Sequence, residues 1–600
     1  MKKILIALAI ILLAFFFRFN NLNWDENFHL HPDERFLTMV GTAMKLPTNI
    51  NQYFDQKTSL MNPSNVGYNF FVYGRFPLIL TKYLAGLYKM DNYDDFTILG
   101  RQLSAFFDLL IVILVIKTAK LLIDKSRKTN FNQFQPISTI PYWAGFFYAI
   151  AVLPIQLSHF FAVDTFLNFF MFGSFYFILR FWTSQNDVIL VSDRRKRIQN
   201  LILSAVFFGL ALSCKVTALF ILPLNFVFIV LAQLKRPLQL GKSLSKLFIY
   251  SIIYLLTSYF TLRLADPYLF QNLNLFDPTP SKLFINNITE LNSWNNPEAW
   301  FPPGVQWIHK TPILFSLFNL AIFGIGIPAI TFIVLGMIQT IFNQFFKFKK
   351  LNVKNLFQIS NLNFQFFIVL FWVLGFFVYQ SVQYVKSIRY FFFLYPFLAI
   401  FGAIGVRAVL EYIHSHFNRS TILYLLSTIF IVIALLIWPL MFQSIYLRPH
   451  SRVTASEWIY KNIPNNALIL SEHWDDSLPL PVSENSGKQY RSEQLSVFDS
   501  DLPVKWQKIR DQLNRGDYYI LSSNRGWGSI PTVPERFPIM AQFYKDLFAE
   551  KTQYKKVIEF DSYPSLRYFG IPIDFPDNFA EETFIVYDHP QVIIFKKQKS

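Results

Sequence analysis

A chain of 600 residues with 53% hydrophobic residues, only 16% charged residues and 70 phenylalanines carries more apolar surface than soluble domains can bury, so an integral membrane protein is expected. The net charge of +17 could suit nucleic acid, but the basic residues fall in short blocks between apolar runs, as membrane topology requires, and nucleic acid is set aside as a partner. A single cysteine, Cys214, excludes an internal disulfide.

The N-terminus reads Met1-Lys2-Lys3 and is then apolar from Ile4 to Phe17. Arg18-Phe19-Asn20-Asn21 follows with no small-x-small cleavage site, so an uncleaved first span is expected rather than a signal peptide. Apolar runs of spanning length lie near 4–22, 98–122, 138–157, 160–181, 200–215, 217–234, 247–265, 312–343, 363–380, 389–410 and 420–442, eleven in all. With the N-terminus inside, the basic blocks around Lys128, Arg195, Lys235 and Lys350 fall on inner loops, and the long loop 266–311 carries only Lys282 and Lys310. Residues 70–90 are apolar but hold Arg75, Pro77, Lys82 and Lys89, and counting them as a span would reverse that pattern. They read as an amphipathic helix on the outer surface, inside a first outer loop of about 23–97.

From Tyr446 onward no run is long enough to cross a bilayer. Helical patterns over Ala455–Asn462 and Pro534–Glu550 alternate with strand-like runs at Ala467–Leu470, Tyr518–Leu521, Lys556–Phe560, Phe584–Tyr587 and Val592–Phe595. The expected architecture is a polytopic α-helical membrane domain over 1–445 with about eleven transmembrane helices, followed by an extracytoplasmic α/β domain over 446–600. The protein would sit in the plasma membrane, N-terminus cytoplasmic. Asn287-Ile288-Thr289 is a glycosylation sequon on the outer side, meaningful only where the host glycosylates proteins.

Polar residues gather at the outer span ends. His31, Asp33 and Glu34 follow the first span, Arg101 begins the second, and His159 and Asp164 lie between the third and fourth. Lys215 follows the fifth, and Lys386 and Arg389 precede the tenth. Each has a plain alternative: Asp33-Glu34 or Asp164 capping a helix, His159 as a hydrogen-bonded interface histidine, and Arg101, Lys215 or Arg389 snorkelling to head groups. No Cys/His set has metal spacing, and His29/His31 is a weak signal, so no metal or other cofactor is indicated. One carboxylate base with cations at a membrane edge suits sugar transfer from a lipid-linked sugar phosphate. The acceptor hydroxyl must lose a proton, while the phosphate leaving group needs positive charge but no proton. A transporter or flippase, or a non-catalytic envelope scaffold, is the rival class; transporters usually place polar residues near mid-bilayer in related halves.

His31-Pro32-Asp33-Glu34-Arg35-Phe36, Tyr73-Gly74-Arg75-Phe76-Pro77, Gly100-Arg101-Gln102-Leu103-Ser104, Ser158–Asp164, Lys215-Val216-Thr217 and Arg389-Tyr390 together resemble GT-C superfamily glycosyltransferases. The likeness is greatest to the family 39, protein O-mannosyltransferase-like, phospholipid-carrier-dependent enzymes. Ala455–Ile459, Glu472-His473-Trp474-Asp475-Asp476 and Tyr587-Asp588-His589-Pro590 resemble the outer domain of its bacterial and archaeal members. The resemblance implies transfer of a mannose-like hexose from a polyprenyl- or dolichyl-phosphate donor to a glycan, lipid or protein hydroxyl. It implies Asp33 as base, Glu34 as a second catalytic carboxylate that positions acceptor or base, and Asp164 as support. His31, Arg101, His159, Lys215 and Arg389 are the remaining candidates for substrate and phosphate contacts. Protein O-mannosyltransferases carry MIR domains in a lumenal loop, and 266–311 is too short for one.

Overall fold

The computed structural model describes residues 2–126, 139–184, 191–234, 240–348, 364–417, 420–482 and 487–598. The basic residues Lys128, Lys235 and Lys350, used in the topology count, lie outside them.

All eleven apolar runs fall on helices. By length and apolar composition, four described helices suffice to cross a bilayer, and six do if each of two bent pairs is one crossing. The bends have local causes. Ile140–Ala149 and Val152–Ser158 meet at 53°, with Pro154 in the second helix lacking an N–H. Leu314–Ile325 and Ile327–Asn343 meet at 117° around Gly326. Its φ of +91° is open to glycine, and a Cβ there would lie 2.7 Å from the Trp438 ring. This is a helical membrane protein.

The 70–90 stretch forms the helix Phe76–Tyr88, which buries Leu78, Thr81 and Ala85 and packs on Pro32–Ala43 and Tyr93–Ser126. Its buried Lys82 is paired with Asp91 at 2.6 Å.

Beyond the bundle, β1 (Leu468–Glu472), β2 (Arg491–Leu495), β3 (Tyr518–Leu521), β4 (Tyr554–Phe560) and β5 (Val592–Lys597) form one sheet in the order β2-β1-β3-β5-β4. The first three are parallel, and β5 runs antiparallel to both neighbours. Alternate residues serve two cores. Ile469, Tyr518 and Ile594 join the apolar interior of the bundle, so layer and bundle share one core. Leu470, Tyr519 and Ile593 pack instead with Ile509 of helix Pro503–Arg515 and Met540 of helix Pro538–Phe548.

Two sequence expectations fail here. Phe584–Tyr587 is not a strand; Glu582–Ile585 forms a helical turn, because Asn319 and Gln306 of the bundle side accept from the Glu581 and Glu582 N–H groups and hold the segment against the bundle. Strand β2 and helix Pro503–Arg515 were not expected. Strand β2 is a largely exposed, polar edge without apolar alternation. The sequon reading also fails: Asn287 is buried, and its amide donates to the Asn69 carbonyl at 2.8 Å, so a glycan has no room there.

Candidate active site

Helix Pro32–Ala43 begins where the first acidic motif predicts a helix start. His31 is its N-cap, accepting from the Glu34 N–H at 3.3 Å; Pro32 fills the first turn, and two carboxylates face the positive end of the helix dipole. Adjacent helical residues point about 100° apart, so Asp33 and Glu34 cannot share a task.

Glu34 turns inward. It is fully buried and accepts from Arg101 Nε at 2.8 Å, Arg101 Nη2 at 2.5 Å and the Phe161 N–H at 2.7 Å. Arg101 also donates to Asp25 at 3.0 and 2.8 Å and to the Leu22 carbonyl at 2.7 Å. All five guanidinium N–H groups are thus engaged, and Arg101 has none to offer a phosphate. The structure corrects both expectations: Glu34 and Arg101 pin the first loop to the bundle, and Asp25, which the sequence reading passed over, completes the set. Either Glu34→Ala or Arg101→Ala would strand a buried charge at a cost of about 3–5 kcal/mol. The expected outcome is a sharp loss of monodisperse protein in detergent, read by size-exclusion chromatography of a fluorescent fusion.

His159 is also displaced from the expected role. Its ring nitrogens face the Ile155 and Asn20 carbonyls at 2.8 and 3.0 Å, and the ring stacks on Tyr446 at 3.8 Å. His31 touches Phe160 and Tyr587 with its ring and caps the helix; burial, ahead of the Arg389 and Arg101 charges, lowers it to about 4 and keeps it neutral. Lys386 is buried and donates to the Tyr384 carbonyl.

Four other expected residues meet. Arg389 donates through Nη1 to Asp33 at 2.5 Å and through Nε to Asp164 at 2.7 Å, and Lys215 reaches Asp164 at 3.3 Å. The chain brings them together from separate elements. Asp164 sits in the first turn of Val163–Thr183, and its carboxylate accepts from Arg389 and Lys215. Lys215 precedes the 3₁₀ turn Val216–Ile221, with its ammonium over the Tyr390 ring. Arg389 lies in the 3₁₀ turn Ile388–Leu394 leading into Tyr395–His416. From the far layer, the Glu581 carboxylate accepts from the Ile388 N–H at 3.4 Å, and Thr583 bonds Ser387 at 3.0 Å, so layer residues hold the turn that carries Arg389.

The Tyr73–Pro77 motif acquires a mechanical reading. The Gly74 and Phe76 N–H groups donate to the Cys214 and Ser213 carbonyls, an approach so close that a Cβ on Gly74 would lie 2.1 Å from the Ser213 oxygen. Arg75 pairs with buried Asp266, and Tyr73 is left facing Asp33 beside Lys215.

These residues open into a cleft of about 620 Å³ between the end of the bundle and the α/β layer. Asp33, Arg389, Lys215 and Tyr73 line one side, and Trp474, Asp475, Asp476 and Tyr587 of the layer line the other. Burial pushes the Asp33 carboxyl up, but Arg389 first, then His31 and Lys215, more than reverse this and hold it at about 2. Asp33 is therefore an ionised carboxylate that can accept a proton.

The layer's share of the cleft was not assigned from sequence, although its motifs were visible. Arg452 bridges Asp475 at 2.9 Å and Asp476 at 2.8 Å, and Arg35 crosses from the first loop to Asp476 at 2.9 Å. His589 is wedged between Asp577 and Asp588, and Asp588 accepts from Gln156 and Tyr446 of the bundle side. Two acidic partners raise His589 to about 10 against the effect of burial, making it a charged bolt between layer and bundle.

No family model matches the sequence, and no curated protein matches it. Solved structures are similar in fold. An oligosaccharyltransferase from Archaeoglobus fulgidus, tethered with an acceptor peptide containing the NVT sequon, gives a TM-score of 0.54 at 11% identity, over 99% of this chain and 88% of that one. The same enzyme in complex with Zn and sulfate gives 0.51 at 11% identity over the same shares. The archaeal oligosaccharyltransferase AglB from Archaeoglobus fulgidus, in complex with an inhibitory peptide and a dolichol-phosphate, gives 0.50, again at 11% identity and the same shares. The chain thus shares the fold of this archaeal oligosaccharyltransferase over nearly its whole length.

Proposed function

We propose that this protein is a membrane glycosyltransferase of the family 39 type, moving one mannose-like hexose from a polyprenyl- or dolichyl-phosphate carrier to an acceptor hydroxyl. The observation that carries this reading is the Asp33–Arg389–Asp164–Lys215 cluster at the mouth of a cleft at the end of an apolar bundle. The dolichol-phosphate complex of the archaeal fold relative supports a lipid-phosphate donor. In the proposed topology eleven segments cross the plasma membrane, the N-terminus is cytoplasmic, and the 446–600 layer with its cleft faces outward.

The acceptor oxygen attacks the anomeric carbon, its proton passes to Asp33, and the bond to the carrier phosphate breaks with its electron pair on the phosphate oxygen. Arg389 and Lys215 balance the charge that grows there. A phosphate competes with Asp33 for the same guanidinium, so donor binding itself loosens the ion pair and makes the carboxylate a stronger base. Asp164 keeps Arg389 and Lys215 in place throughout.

The Zn complex of the fold relative raises a divalent ion as a possible participant. Asp33 and Asp164 meet across a guanidinium, and among the described residues no group of three or more His, Cys, Asp or Glu side chains could hold a metal ion. This donor set does not fit a divalent ion, and the two cations do its electrostatic work. Transfer by purified protein in lipid nanodiscs is expected to survive EDTA unchanged; loss restored by added Mn²⁺ or Mg²⁺ would refute the cation role.

The test of the function is release of polyprenyl phosphate from polyprenyl-phosphate-mannose by the purified protein. Mass spectrometry of lipids and glycans from cells with and without it would show which acceptor goes unmodified. No release with any lipid-phosphate hexose would sink the reading.

A further inference from the structure

The cleft also carries groups that the transfer step does not use, contributed by the α/β layer and by the loop 266–311. Four of the chain's 12 tryptophans gather there. Trp294, Trp307 and Trp474 line the cleft, and Trp300 meets Trp474 edge-on at 5.6 Å. Trp294 is braced flat on Phe301, with ring centroids 5.2 Å apart. Trp474 holds a left-handed backbone, φ 80°, unusual for a bulky side chain and a form of strain that concentrates at binding sites. The indole N–H groups of Trp307 and Trp474 are both buried with no hydrogen-bond partner in the protein, an exception to the rule for buried indoles. Asp475 and Asp476 line the same region, oriented by Arg452 but with lone pairs to spare.

We infer that this wall is the acceptor subsite and that the acceptor is a saccharide. A pyranose presents an apolar C–H face, which an indole covers, and a rim of hydroxyls. Those hydroxyls need fixed carboxylate oxygens as acceptors and N–H groups as donors, and both stand here beside unpartnered indoles. The charged side chains of the cleft pair off, Arg389 and Lys215 with Asp164, Arg525 with Glu582, and Arg452 and Arg35 with Asp475 and Asp476, so no unpaired charge answers a cationic acceptor such as a basic peptide, which would lose its hydration without return. A neutral sugar pays no such penalty. One hydroxyl of the stacked saccharide then closes a new glycosidic bond to the donor's anomeric carbon as its proton moves to Asp33 and the carrier phosphate leaves.

This inference rests on the transferase reading but is tested apart from it, by binding. The full-length protein in nanodiscs is titrated separately with mannotriose, cellotriose and chitotriose, and with a threonine-rich neutral peptide, following tryptophan emission and saturation-transfer NMR. At least one trisaccharide is expected to saturate, and Trp474→Ala is expected to weaken it about tenfold, roughly 1.4 kcal/mol. Trp294→Ala, on a different segment, should weaken it similarly and carries the test if Trp474→Ala does not fold. If no trisaccharide saturates, if only the peptide does, or if a foldable variant binds sugar as well as the parent, the inference is overturned. Saccharide binding without donor turnover would instead overturn the transferase reading alone.

Discussion

Asp33→Asn should lower release of polyprenyl phosphate from the proposed lipid-phosphate hexose donor by about 10²–10⁴-fold, the usual worth of a positioned general base, with insertion and yield unchanged. The substitution is close to isosteric. An amide oxygen still accepts from Arg389, and the N-cap at His31 and the buried Glu34–Arg101–Asp25 set are untouched. Only the capacity to take a proton is gone. The comparison that gives the result its force is with the neighbouring residue. Glu34→Ala should cost protein, because its carboxylate answers a buried guanidinium, whereas Asp33→Asn should cost turnover per molecule. Two adjacent carboxylates of one motif would then separate in a single experiment that reports abundance and specific activity together. Near-normal specific activity of Asp33→Asn would dismiss it as the base.

Arg389→Gln should cost about 10²–10³-fold in turnover, comparable with losing one preorganised donor to a developing oxyanion. It should also change the shape of the pH profile. In the parent, the Asp33 carboxyl sits at about 2, so it is ionised throughout the working range and contributes no acid limb. Burial raises that carboxyl, and Arg389 is the foremost of the groups that bring it down; without the guanidinium, burial and the facing Asp164 prevail. Asp33 then protonates as pH falls into the ordinary carboxylate range, and an acid limb appears in the variant that the parent lacks. Measuring release against pH for both proteins checks the sign: activity of the variant should fall towards acid, not towards base. A flat ratio of the two profiles would mean that Arg389 serves the phosphate but does not tune Asp33.

Much of this was legible in the sequence, for identifiable reasons. Apolar length and basic blocks are strong, local signals, and every apolar run they marked is helical. Asp33, Asp164, Lys215 and Arg389 stood out as charges at span ends and do meet. Arg101 looked identical by that criterion. Both face two carboxylates; what separates Arg101 from Arg389 is that Asp25, Glu34 and the Leu22 carbonyl together engage every one of its N–H groups, which depends on the turn taken by residues 20–31 and leaves no periodic trace. Helix register, not composition, decides which of Asp33 and Glu34 faces the cleft. The Glu472–Asp476 motif was visible as a likeness, but its Trp and Asp residues gain meaning only together with Trp294 and Trp307, some 170 residues earlier in the chain. Strand β2 was missed because an exposed polar edge lacks the alternation that marks a strand, and Phe584–Tyr587 was read as a strand because a short apolar run carries no sign that bundle residues hold it as a helical turn.

The cleft has a consequence for the order in which the protein becomes itself during synthesis. Asp33, its proposed base, and both cations, Lys215 and Arg389, are made before the opposite wall at Trp474 and Tyr587 and before Glu581 behind the Arg389 turn. A nascent chain stopped near residue 450 thus holds every charged group proposed for the transfer, yet only half of the chamber in which they act. Until β5 pairs and His589 is seated between its two aspartates, the cations proposed to meet the phosphate stand open to water on one side, so the dry half of the chamber is the later-made half.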